Sequence, residues 1–193
     1  MSKYKIIAIC GKSASGKDSL LREVVRKDSN FHEIVSCTTR PPRELEVDGV
    51  NYFFMSEEEF LNKKNNNEML ETSSFRDWFY GTSLEGVSEE KINVGVFNPT
   101  GINSLLSDSR VDIYLVLVEA SDKVRLIRSL HREANPDVGE IIRRYQTDNE
   151  DFANFHCGWD YRFDSTGASW SDLDHAALEI AFYAQRHWAG EAN

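Results

Sequence analysis

The chain has 193 residues, 40% hydrophobic and 28% charged, enough for one globular domain with a small inserted lobe. A formal net charge of −10 argues against duplex nucleic acid or an anionic membrane as the main partner. No charge-free apolar stretch is long enough to span a bilayer, and the residues from Met1 to Lys5 lack the layout of a signal peptide. The three cysteines and five histidines show no metal-ligand spacing, so a cytoplasmic chain with reduced thiols is expected and a structural zinc is not.

The first expected element is a strand from Tyr4 to Cys10, an almost continuous apolar run. Gly11, Lys12, Ser13, Ala14, Ser15, Gly16, Lys17, Asp18 and Ser19 follow. Leu20, Leu21, Val24 and Val25 then fall on one helical stripe. Strand, glycine-rich loop and helix form the context of a phosphate-binding loop. Its glycines let several backbone N–H groups converge on one anion, and the helix adds the positive end of its dipole. Lys17 would reach the β- and γ-phosphates of a nucleotide. Asp18 stands where such loops carry Ser or Thr to hold Mg²⁺. A carboxylate suits that ion, though Asp18 could equally serve only as a helix-terminal charge.

Further strands are expected at Glu33 to Cys37, Tyr52 to Met55, Ile92 to Phe97, Ile113 to Val118 and Tyr161 to Phe163. The first, fourth and fifth of the six read as central parallel strands covered on both faces. Ser56 with Glu59 forms a capping box. Asp122 to Glu133 and Val138 to Asp151 read as a helix pair broken at Asn135-Pro136, and Leu173, Ala176, Ala177, Ile180 and Ala184 mark a C-terminal helix. The alternation predicts an α/β fold with a mostly parallel central sheet flanked by helices. The segment at about 38–88, with short strands, aromatics and turns, reads as an inserted lobe.

Arg40 and Arg43 bracket Pro41-Pro42, which stiffens the backbone between two guanidinium forks. A second phosphate site and a solvated basic loop both fit that run alone; beside the glycine loop it favours the phosphate site. The aromatic run Phe75-Arg76-Asp77-Trp78-Phe79 suits either a packed lobe core or stacking on a base. Arg125, Arg128 and Arg132 share one helix face, as a phosphate-facing lid or a solvated face.

The glycine loop, Ser36-x-Thr38-Thr39-Arg40-x-x-Arg43, Glu46-x-x-Gly49-x-x-Tyr52-x-Phe54, Glu57 to Phe60, Glu68-x-x-Glu71 and Tyr80-Gly81-Thr82-Ser83 together resemble guanylate kinases, a branch of the P-loop nucleoside monophosphate kinases. The resemblance implies a P-loop kinase fold. It also implies transfer of the γ-phosphoryl group of ATP to GMP or dGMP with Mg²⁺, in a monomer or homodimer. Arg40, Arg43, Tyr52 and Tyr80 would then hold the acceptor phosphate, and Ser36, Glu71 and Thr82 would line the purine pocket. Arg128, Arg132 and Arg144 would close over the triphosphate from a lid at about 125–150.

The chain also departs from that family. Val96 and Asn98 stand where the family carries Asp-x-Asp, which touches both the metal shell and purine recognition. Asn98 is therefore a candidate for the monophosphate site, and a kinase for another (deoxy)nucleoside monophosphate is the nearest alternative. A non-catalytic phosphopeptide-binding module is the other; such modules erode the loop, whereas Gly11, Gly16 and Lys17 remain here.

Overall fold

A computed structural model describes residues 4–44, 46–75, 77–132 and 134–190. In chain order the elements are β1 (Tyr4–Cys10), α1 (Lys17–Lys27), β2 (Phe31–Glu33), β3 (Cys37–Thr38), β4 (Phe53–Phe54), α2 (Glu57–Asn65), β5 (Met69–Phe75) and β6 (Trp78–Ser83). They continue with β7 (Ile92–Val96), α3 (Pro99–Ser107), β8 (Val111–Glu119), α4 (Asp122–His131), α5 (Val138–Ala153), β9 (Tyr161–Asp164) and α6 (Trp170–Ala189).

Five strands form a parallel sheet in the order β2-β7-β1-β8-β9. The three strands with the longest apolar runs, β7, β1 and β8, occupy its centre because both of their faces are covered. Along β1, Ile7 and Ile9 point into one core with Leu20, Leu21 and Val24 of α1 and Ala177 and Ile180 of α6. Ile6, Ala8 and Cys10 point into the opposite core with Ile102 and Leu105 of α3. From β1 the chain first builds one side of the sheet, at β2, and later the other, at β8 and β9. The crevice beyond the C-terminal end of β1 is therefore the switch point where such sheets bind ligands.

A second sheet, β4-β3-β6-β5, carries α2 and a small core of Cys37, Phe60 and Met69 flanked by Phe53, Met55 and Phe79. Gly81 lies at its tightest point: a Cβ there would sit 2.6 Å from the Glu71 carbonyl oxygen. The Ser56–Glu59 capping box starts α2 as expected, with both reciprocal bonds formed.

Three sequence expectations are corrected, and a hairpin and a helix are added. The strand expected from Glu33 to Cys37 is two strands in different sheets. The Ile34 amide still bonds Val94, but Cys37 already pairs with Gly81 and Phe53. The strand expected from Tyr52 shortens to Phe53–Phe54, and Tyr52 only bridges Asp48. The hairpin of β5 and β6 and the helix α3 were absent from the reading; α3 starts where the Asn98 side chain accepts from the Gly101 amide ahead of Pro99. The helix expected to Glu133 ends at His131, and Glu133 itself lies outside the described residues.

The lobe core is small, so one side chain dominates it. Phe60 is 1% exposed and stacks on Phe79 with ring centroids 5.4 Å apart. Phe60→Ala should cost roughly 3–5 kcal/mol. Hydrogen exchange should accelerate in β5 and β6 while β1 stays protected, because β1 lies in the other sheet.

Candidate functional site

The glycine loop leaves β1 at Gly11, where a Cβ would lie 2.2 Å from the Val118 carbonyl oxygen of β8. That contact excludes any side chain and seats the loop on the sheet edge. Gly16, with φ +102°, takes the left-handed conformation that turns the chain into α1. No side chain caps α1, so its first N–H groups face outward. The Ser15 hydroxyl is buried with no hydrogen-bond partner among the described residues.

Lys17 folds back over the loop, its Nζ donating to the Lys12 carbonyl at 2.9 Å. Burial lowers its pKa, opposed by the nearby carboxylates of Asp18 and Asp148. The Lys12 ammonium donates to Asn149 of α5 at 2.9 Å. Ser13 donates from its amide and its hydroxyl to the Asp148 carboxylate, at 2.8 and 3.1 Å.

Two cavities open around the loop, of about 860 and 290 Å³, and Ser13, Lys17, Tyr52 and Tyr80 line both. The larger adds Ala14, Asp18, Arg40, Arg43, Arg132 and Arg144. The smaller adds Gly11, Ser36, Glu71, Asn98 and Asp151. Gly16, Ser19 and Lys12 line neither.

Arg40 is buried, its Nη2 held by both Glu46 carboxylate oxygens at 2.8 and 2.9 Å, and its guanidinium lies 5.7 Å from the Tyr52 ring centre. The same carboxylate accepts the Arg43 amide, and these bonds hold Glu46 below the usual carboxylate range. Arg144 donates to Glu140 at 2.9 Å; with Arg143 on the same group, the Glu140 carboxyl is pulled down to about 2.

In the smaller cavity, Glu71 is pushed up to about 7 by burial, opposed by the hydroxyl of Thr82, which donates to it at 2.9 Å. Thr82 is itself fully buried, so it acts on the cavity through Glu71. Asn98 reaches the cavity, but its Oδ1 is engaged as the α3 cap at 2.7 Å.

Arg128 and Arg125 do not lie where the sequence reading put them. Arg128 was expected over the triphosphate; instead its Nη1 donates to Ser165 Oγ at 2.9 Å and to the Ser15 and Ala14 carbonyls at 3.3 and 3.4 Å. Arg125 is on neither a solvated face nor the cavity wall: its side chain is 1% exposed and its Nε donates to the Ser13 carbonyl at 2.9 Å. Phe79 packs in the lobe core and Trp78 lines the larger cavity, while Arg76 and the Phe75 side chain lie outside the described residues.

Asp148, Asn149 and Ser165 escaped the sequence reading. Their bonds to the loop span 135 to 150 residues of chain, and no local spacing signals such pairs. Among the described residues no group of three or more His, Cys, Asp or Glu could hold a metal by itself, and no helix is long and apolar enough to cross a membrane.

A family model described as guanylate kinase matches residues 3–150. Guanylate kinase of Thermotoga maritima is 44% identical over 93 residues, 48% of this chain and 44% of that protein. The chain spans less than half the length of the first curated relatives it matches. Guanylate kinase of Malacoplasma penetrans is 32% identical over 151 residues, 74% of this chain and 77% of that protein. The crystal structure of guanylate kinase from Anaplasma phagocytophilum superposes with a TM-score of 0.65 at 19% identity, covering 96% of this chain and 87% of that one, a likeness of fold. The matched stretch holds both cavities' main residues, from the glycine loop to Asp148, and on that evidence the chain belongs to the guanylate kinase family.

Proposed function

We propose that this protein transfers the γ-phosphoryl group of ATP to GMP or dGMP, giving ADP and the nucleoside diphosphate. The observation that carries this reading is the shared wall of the two cavities. Ser13 and Lys17 of the glycine loop and Tyr52 and Tyr80 of the lobe face both, so a donor phosphate and an acceptor phosphate would meet there. Arg40 and Arg43, with Tyr52 and Tyr80, would hold the acceptor phosphate, and Glu46 keeps the Arg40 fork oriented.

The acceptor oxygen is already anionic, so no protein base is needed; catalysis is alignment plus charge neutralisation. Lys17, Arg132 and Arg144 line the larger cavity and would supply those charges. Arg128 would contribute indirectly, by shaping the loop. The donor set beside the loop fits Mg²⁺. Asp18 is an exposed carboxylate on the larger cavity, and a nucleotide-borne Mg²⁺ needs only one or two carboxylates beside phosphate oxygens and water. When bound, the ion would neutralise charge on the β- and γ-phosphates, with Asp18 as its protein partner.

Glu71 gives the base preference a physical basis. An ionised carboxylate accepts from both N1–H and the 2-amino group of guanine, which adenine does not offer together. Burial that raises its pKa to about 7 leaves Glu71 protonated below that pH in the folded protein. Stability contributed by the protonated form is lost as pH rises from the ordinary carboxyl range through 7, and guanine binding must displace that proton below 7.

An ADP-release assay across the common nucleoside monophosphates tests the reading, with the fastest turnover expected for GMP or dGMP. Lys17→Ala should lower kcat by at least ~100-fold. Turnover on no monophosphate, or normal turnover without Lys17, would reject a P-loop kinase.

The apparent KM for GMP should rise about 10-fold between pH 8 and pH 6 as Glu71 protonates. Glu71→Gln should remove that part of the profile and leave only the titration of the substrate phosphate. An unchanged profile would take Glu71 out of the base site.

If Asp18 holds the metal, Asp18→Ala should raise the Mg²⁺ concentration for half-maximal rate, and Asp18→Thr should restore it. An unchanged Mg²⁺ dependence with a small loss of melting temperature would leave Asp18 as a helix-terminal charge.

A further inference from the structure

Ser13 is gripped on every polar group it owns. Its amide and hydroxyl go to Asp148, and its carbonyl accepts from Arg125 Nε. Arg125 closes the circuit with an ion pair to Asp148. Its remaining Nη1 bonds Asp122 at 3.0 Å, and its guanidinium lies 4.5 Å from the Tyr145 ring centre. Three separate parts of the chain, the glycine loop, α4 and α5, thus meet at one residue.

A buried ion pair of this kind is weak evidence for stability, because apolar residues of similar volume often do as well. What the pair fixes is orientation. In an anion-binding loop the N–H groups must face the anion and the carbonyls must not. Arg125 draws the Ser13 carbonyl toward α4, in the same direction as Arg128 draws those of Ala14 and Ser15. Asp148 takes the Ser13 N–H and hydroxyl, so that N–H anchors the residue while the loop's other N–H groups are left for the anion, and the peptides on both sides of Ser13 are each held by one bond or more.

We propose that Arg125 and Asp148 are positioning residues for the donor nucleotide: acting through Ser13, they hold the glycine loop in its phosphate-binding shape and so set affinity for ATP rather than for the acceptor. This rests on the reading of the glycine loop as the ATP site.

The test uses two variants that leave net charge unchanged. Arg125→Met combined with Asp148→Leu removes the brace and keeps the volume apolar. Arg125→Lys keeps the charge but loses the Nε bond to Ser13. Each is titrated separately with a non-hydrolysable ATP analogue and with GMP, and its melting temperature is recorded. The double variant should weaken the analogue by about 10-fold, and Arg125→Lys by about 3-fold. Asp148 also lines the smaller cavity whereas Arg125 lines neither, so selectivity is read in Arg125→Lys, where GMP affinity should stay within about 2-fold of the unaltered protein. Hydrogen exchange at the Ser13 amide should accelerate in the double variant.

Unchanged or tighter analogue binding in either variant would overturn the inference, as would equal weakening of analogue and GMP in Arg125→Lys. If the double variant does not fold, Arg125→Lys decides by the same criteria. Failure of the unaltered protein to bind the analogue would instead reject the functional reading, and this inference with it.

Discussion

A loop that binds an anion through its backbone has to keep its own carbonyl groups turned away from that anion. Much of this structure serves that constraint. The Val118 carbonyl fills the space a Gly11 side chain would need, so the loop begins flush against β8. The carbonyls of Ser13, Ala14 and Ser15 are then drawn to Arg125 and Arg128 of α4, with Ser165 adding a 2.6 Å bond to the last of them. α4 follows β8, and Ser165 follows β9, so the sheet order that seats the loop also brings its braces into reach. The helical face that reads as a row of phosphate-facing cations divides its work: Arg125 and Arg128 shape the loop, and Arg132 reaches the open cavity.

The lobe obeys a different constraint. A carboxylate that is to read a base edge must be partly withdrawn from water, and withdrawal raises its pKa. β5 and β6 hold Glu71 in that state. Gly81 lets the two strands approach at the Glu71 carbonyl, and Thr82 supplies one hydrogen bond to the side chain. The single donor does not offset burial, so the proton stays on to about pH 7. The cost of burying Glu71 is borne by a lobe whose own core is three fully buried side chains and a few neighbours.

What could be read from the sequence followed from how local the signals are. β1, the loop and α1 are contiguous, and their apolar pattern survives because both faces of β1 and one face of α1 are buried. The Ser56–Glu59 cap and the α6 stripe are equally local. The β5–β6 hairpin was hidden because its polar residues, among them Glu71, Thr72, Ser73 and Thr82, line a cavity or pair with each other rather than alternate with core residues. The break between β2 and β3 was hidden because Ile34 to Cys37 remains a plausible strand in composition while the chain changes sheets. The motif residues Ser36, Arg40, Glu71 and Tyr80 were legible through family resemblance. The partner of Arg125 was not, since Asp148 lies 23 residues away on another helix.

The end of β7 shows how much a substitution depends on its neighbours. Val96 and Asn98 replace two expected carboxylates, which alone would make the smaller cavity less acidic. α5 runs past the same cavity and places Asp148 and Asp151 in its wall beside Glu71. Asp148 is ion-paired with Arg125, and the pKa of Asp151 is raised by burial and by the charges of Asp148 and Glu150, so neither simply replaces a lost charge. Asn98, meanwhile, uses its oxygen to start α3, and Gly101 at that cap is close enough that a Cβ would lie 3.4 Å from the Glu71 carboxylate. The amide at position 98 therefore helps place the helix that walls in Glu71, a role that an aspartate cap could also fill. In the proposed reading, its influence on base choice would run through the packing around Glu71.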